Sequence, residues 1–215
     1  MSDYMSNREV YFTSSGSIES SSRFALADWQ DYNLSECGKE QMELAGKVID
    51  SRGLRIGAIA CSPIAQHQQS AQIIASAIGL HGPIKTHSEL HDRRGSGLLP
   101  QYLDSPEELS REVERSLGIE SPGTFARRVF SANLILDRLA ATLDGEGVLV
   151  VGHPSIYQMS WVLKKNANPT SIASMPIPLV GAIDSYPVSG TLNLSHTAPR
   201  LRGGVHFADD SVMQT

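Results

Sequence analysis

Val10-Tyr11-Phe12-Thr13-Ser14-Ser15-Gly16-Ser17 is an apolar run that breaks into small polar residues and a glycine. A buried parallel strand that ends in such a turn directs free backbone N–H groups into a crevice at the carboxyl edge of its sheet, where ligands bind. Val148-Leu149-Val150-Val151 has the same form: a β-branched run suited to a central strand, ending in Gly152-His153-Pro154-Ser155. In a doubly wound sheet the carboxyl ends of neighbouring strands meet over one crevice, so the two stretches predict a shared site. A histidine at a strand end beside glycine points into that crevice and not into the core.

The chain between them alternates strand and helix. Leu34-Ser35-Glu36 opens a helix with Ser35 as N-cap, carrying Met42, Ala45, Val48 and Ile49 at helical spacing and ending at Gly53. Ile56 to Cys61 is a short apolar run without alternation, a strand covered on both faces. Ser62-Pro63 predicts the start of a second helix, which runs to Gly79. A short strand is expected over Pro83 to Thr86, then a charged, glycine-containing loop from Glu89 to Gln101. Ser105-Pro106-Glu107-Glu108 is a capping box for a helix ending near Gly118, and Thr124 is expected to cap the longest helix. Beyond Asn168 the prolines Pro176, Pro178 and Pro187 and the alternation from Thr191 to Ser195 predict late or edge strands. The fold class is α/β, a three-layer sandwich with a mostly parallel central sheet. We expect a disordered stretch over 1–8, one domain over 9–198 and a flexible tail over 199–215.

Composition narrows the function. A chain of 215 residues with 40% hydrophobic content has room for a sizeable core. A net charge of -5, with basic residues scattered singly, disfavours nucleic acid and anionic membranes as partners. Cys37 and Cys61 lack the spacing of a disulfide framework and read as free thiols, and no apolar run approaches the ~20 residues of a membrane span. A cytoplasmic protein follows, its partner a small-molecule ligand or another protein, with homodimer formation through the late edge strands as a further expectation. His67, His81, His87 and His91 show no metal-ligand spacing, so neither metal nor cofactor is expected.

Six segments, in order, resemble those of the histidine phosphatase superfamily, which includes the cofactor-dependent phosphoglycerate mutases. Val10 to Ser17 stands where the family has a strand and Arg-His-Gly, and Leu34 to Gln41 looks like Leu-Thr-Glu-x-Gly-x-x-Gln. Cys61-Ser62-Pro63-Ile64-Ala65-Gln66-His67-Gln68-Gln69-Ser70-Ala71 is similar to Ser-Ser-Pro-Leu-x-Arg-Ala-x-x-Thr-Ala. Glu89-Leu90-His91-Asp92-Arg93 resembles the acid-bearing loop Leu-x-Glu-Arg. Glu120-Ser121 with Arg128 looks like the start of the family's long helix, and Val148 to His153 like the strand bearing its second histidine. The resemblance implies a phosphoglycerate mutase-like fold. It also implies a mechanism in which a histidine attacks a phosphoryl group, two arginines and a second histidine hold its oxygens, and an acid protonates the leaving group.

Carried over residue by residue, the nucleophile falls on Ser15, the first arginine on Ser14 and the second on Gln66, so all three are replaced. Gly16, His153, Asp92 for the acid and Arg93 are the retained positions. Each charge-assisted hydrogen bond contributes about 1.5–3 kcal/mol, so losing both arginines removes roughly 3–6 kcal/mol of phosphate binding. An unactivated hydroxyl does not replace an imidazole nucleophile. Three readings stay open. One is a pseudoenzyme or binding protein that uses the old phosphate crevice, with Ser14, Gly16, Gln66 and Arg93 as ligand contacts. A second is a repurposed hydrolase or transferase with Ser15 as nucleophile, His153 as base and Asp92 as acid or orienter, on a non-phosphate or weakly anionic substrate. The third is residual phosphomonoester hydrolysis. Against the second stands the need for an oriented base and an oxyanion hole, for which the turn around Gly16 is the one source of donors.

Overall fold

Two apolar strands, buried along their whole length, set the architecture. β1 (Val10–Ser14), β2 (Ile56–Cys61), β3 (Ile84–Thr86), β4 (Gly147–Gly152) and β5 (Asp184–Ser185) form one sheet in the order β3-β2-β4-β1-β5. The computed structural model describes residues 9–19, 32–94, 118–175 and 177–186. The expected disorder over 1–8, the helix from Ser105, the alternating stretch from Thr191 and the tail lie outside the described residues. All pairings are parallel except that of β5, which runs antiparallel to β1 at the edge. The α/β sandwich with a mostly parallel sheet is therefore as the sequence predicts.

Side-chain alternation divides the core between two faces. Val10, Phe12, Val148 and Val150 point to one side and pack against α3 (Pro122–Ala140) and α4 (Pro154–Lys164). Leu149, Val151, Ile59 and Cys61 point to the other and pack against α1 (Glu36–Ser51) and α2 (Ala65–Ala77). Phe12 has no exposed surface, and its ring lies against Tyr157 and Tyr186 with centroids 5.2 and 6.0 Å away. The Tyr186 hydroxyl meets Ser160 and Asn133 in a buried polar cluster, at 2.6 and 2.9 Å.

Helix boundaries follow their caps, and two differ from expectation. α1 begins as predicted, with the Ser35 hydroxyl accepting from the Gly38 N–H at 3.1 Å. α2 starts at Ala65 and not at Ser62-Pro63, because the Ser62 hydroxyl is taken by a side chain, that of His67, and Ile64 stands at the N-cap. α3 is capped by Ser121, not Thr124. The Ser121 hydroxyl accepts from the Thr124 N–H at 3.2 Å and Pro122 occupies the first helical position. Of the late strands expected after Asn168, the described residues hold a 3-10 turn over Pro169–Ser174 and the two-residue β5.

The turn after β1 is pressed against the N-terminus of α1. A Cβ on Gly16 would lie 2.3 Å from the Gly38 carbonyl oxygen, and one on Gly38 would lie 2.0 Å from the Ser17 carbonyl oxygen. Both obstacles are backbone and cannot swing aside. Gly16→Ala and Gly38→Ala are each expected to cost about 1–3 kcal/mol, read as a lower urea midpoint. An unchanged midpoint would contradict the close approach of turn and helix.

Candidate functional site at the carboxyl edge of the sheet

Parallel register assembles the site. Ser14 pairs with Gly152, so Ser15 and His153, each one residue past its strand, leave the sheet side by side. Cys61 pairs with Val151, which brings Ser62 to the same edge and leads into the first turn of α2 with Gln66 and His67. The loop after β3 supplies His91, Asp92 and Arg93. The two strand ends singled out in the sequence thus lie side by side at one edge of the sheet.

The best-defined contact is between His153 and Asp92. His153 Nδ1 lies 3.1 Å from Asp92 Oδ1, and the Ser155 hydroxyl donates to the same carboxylate oxygen. His153 is also the N-cap of α4, its Nδ1 accepting from the Ser155 N–H at 3.3 Å. The contact with Asp92 needs a proton on Nδ1 and the capping contact needs a lone pair there, so the ring's protonation selects between them. Burial acts to raise the pKa of Asp92. Hydrogen bonds from His153, Ser155 and the Arg93 N–H, together with any charge on His153, outweigh it and hold the carboxyl below its ordinary value. That suits Asp92 to orienting His153 rather than to donating a proton.

The remaining positions are less free than the sequence suggests. The N–H groups of the β1 turn were expected to face the crevice. Instead that of Gly16 donates to Ser70 Oγ at 3.2 Å and that of Ser17 to Gln41 Oε1 at 2.9 Å. The oxyanion hole that a Ser15 nucleophile would need is to that extent already spent within the fold. Among the described residues no hydrogen bond joins Ser15 to His153. Arg93 directs its Nε to the Glu120 carbonyl at 2.7 Å. Ser14 Oγ and Gln66 Oε1 are buried side-chain oxygens with no hydrogen-bond partner.

Two residues at this edge make contacts that the sequence does not reveal. His67 is 1% exposed, with Nδ1 2.6 Å from the hydroxyl of the buried Ser62. Burial, with smaller contributions in the same direction from His153 and His91, pushes its pKa down to about 3 despite the pull of Asp92, so it is neutral at physiological pH. The available signal was a serine at a strand end and a histidine five residues on, in the first turn of the next helix. Arg128 is the second. It donates to the carbonyls of Glu89, His91 and Asp92 at 2.9, 2.6 and 2.9 Å and binds both oxygens of Glu120. This guanidinium ties Glu89, His91 and Asp92 to α3, beside the contact of Arg93 with the Glu120 carbonyl. Cys61 is buried, which pushes its thiol up to about 11 and leaves it unreactive. No cluster of three or more metal-ligating side chains occurs among the described residues.

The family model described as histidine phosphatase superfamily (branch 1) matches residues 15–181. The chain belongs to the histidine phosphatase superfamily. Solved structures agree on the fold of this superfamily member. A phosphoglycerate mutase from Bacillus anthracis is 16% identical with a TM-score of 0.64, over 88% of this chain and 95% of that one. A mycobacterial glucosyl-3-phosphoglycerate phosphatase is 17% identical with a TM-score of 0.61, over 82% and 88%. Bacillus stearothermophilus YhfR is 18% identical with a TM-score of 0.60, over 82% and 89%. A comparison with curated protein sequences gave no match. Among the described residues, no helix of this histidine phosphatase superfamily chain is long and apolar enough to cross a membrane.

Proposed function

We propose that this histidine phosphatase superfamily member is a pseudoenzyme that keeps the fold and uses the crevice to bind a ligand without phosphohistidine chemistry. The observation that carries the reading is the joint replacement at three positions, Ser14, Ser15 and Gln66, where the resemblance places arginine, histidine and arginine. Of the guanidiniums described at this edge, Arg128 is engaged by Glu120 and by loop carbonyls, and Arg93 gives its Nε to the Glu120 carbonyl. His67, the imidazole gained beside Gln66, is neutral. A phosphate dianion would enter an edge that carries the Asp92 carboxylate without the guanidiniums that offset its desolvation.

The His153–Asp92 pair favours the repurposed enzyme as a second reading, since an oriented imidazole is one requirement of a general base. The Ser15–His153 hydrogen bond that would activate a nucleophile is not formed among the described residues, which places this reading second. Calorimetric titration with inorganic phosphate tests the first. It is expected to give no saturable binding below millimolar concentration, in line with a loss on the order of a hundredfold to ten-thousandfold for two missing arginines. Micromolar binding would contradict it.

A further inference from the structure

We infer that the ligand held at this edge is a small amphiphile, whose polar group meets His153 and whose apolar group lies on Leu179, Val180 and Ile177. The inference deepens the pseudoenzyme reading and rests on it. Large apolar side chains stand in the open in the segment Ile177-Pro178-Leu179-Val180, where Ile177, Leu179 and Val180 are 70, 76 and 47% exposed. The backbone that carries them is fixed. Pro178 is buried between them, the Ala182 N–H closes a turn on the Leu179 carbonyl at 3.1 Å, and the side chain of Ile183 is buried just beyond. Contiguous apolar side chains left exposed on a preorganised backbone mark a binding surface.

Register ties this surface to the strand ends. Ser14 pairs with Gly152 on one side and bridges Val180 on the other. Two strand spacings place Val180 about 10 Å from Gly152 along the edge, within the span of one small molecule. The residue after Gly152 is His153, whose side chain is half exposed and so within a ligand's reach. Size selects the occupant, since a stable protein interface covers about 800 Å² on each partner, well beyond three side chains. A net charge of -5 disfavours an anionic membrane surface. An apolar group joined to a polar one matches both the surface and the imidazole beside it.

NMR titration of the full chain with butyramide, hexanamide and octanamide tests this. A primary amide both donates and accepts, so it answers His153 in either ring state, and it carries no charge. The His153 ring signal and the methyl signals of Leu179 and Val180 are expected to shift on one saturation curve. Full burial of a methylene is worth about fourfold in affinity and burial on one side about twofold, so octanamide should bind more than about tenfold tighter than butyramide. Leu179→Ser, at an exposed position outside the core, is expected to reduce that ratio to about threefold or less. Equal binding of the two amides, methyl shifts without a His153 shift, or a Leu179→Ser protein with the wild-type ratio would each overturn the amphiphile site. So would a wild-type dimer that Leu179→Ser turns into a monomer in sedimentation, which would give the surface to a second copy. The amides carry no phosphate, so the pseudoenzyme reading fails separately, through phosphate release that depends on His153.

Discussion

Arg128→Ala is expected to lower stability by about 3–5 kcal/mol and to loosen the Asp92 loop in the same stroke. Arg128 and Glu120 form a bidentate pair, 2.6 Å at its shortest, with side chains 15% and 6% exposed. Removing the guanidinium leaves the Glu120 carboxylate uncompensated and deprives three loop carbonyls of their donor. A face of Phe125, 5.0 Å from the guanidinium carbon, loses its cation as well. Arg128→Lys keeps the charge but not the planar fork, so it should recover only a minority of the loss. Urea unfolding measures this directly, and protease cleavage between Glu89 and Arg94 reports the loop. A midpoint within experimental error of wild type would mean that the loop is held by other contacts.

The second large effect is in the acid range. His67 binds its proton with an ordinary pKa near 6.5 when unfolded and with one of about 3 when folded. As pH falls below about 6.5, the unfolded chain takes up a proton that the folded chain refuses, and stability drops at up to about 1.4 kcal/mol per pH unit. Between pH 6.5 and 4.5 the loss from this residue alone is about 2–3 kcal/mol, and it continues until the folded pKa is reached. His67→Asn keeps a polar atom near Ser62 Oγ but does not titrate, so its stability should fall less steeply over that window. Chemical unfolding of both proteins at several pH values decides the matter. Parallel profiles would show that water reaches the imidazole and that its charge is not excluded.

The sheet was legible because its central strands carry their own signal. Ile56 to Cys61 and Val148 to Val151 are apolar without alternation, a pattern that only burial on both faces explains. The site was legible as far as strand ends go, since Ser15 and His153 each follow a central strand. What the sequence withheld depends on distant partners. Ser62 looks like a helix cap until the structure shows its hydroxyl turned to His67. Arg128 looks like one charge on an amphipathic helix, and its hold on residues more than thirty positions away has no local pattern. Gly16 reads as a provider of free N–H groups, whereas its donor is bound to Ser70 and its missing side chain makes room for Gly38. Two-residue β5 is too short to leave a period at all.

The most direct test of the central claim is phosphate release from a panel of phosphomonoesters by the purified protein, with His153→Ala assayed beside it. The account predicts no release above background from either protein, because the positions of the nucleophile and of both arginines hold Ser15, Ser14 and Gln66. Turnover by the wild type that disappears in His153→Ala would contradict it and place phosphoryl chemistry in the crevice after all.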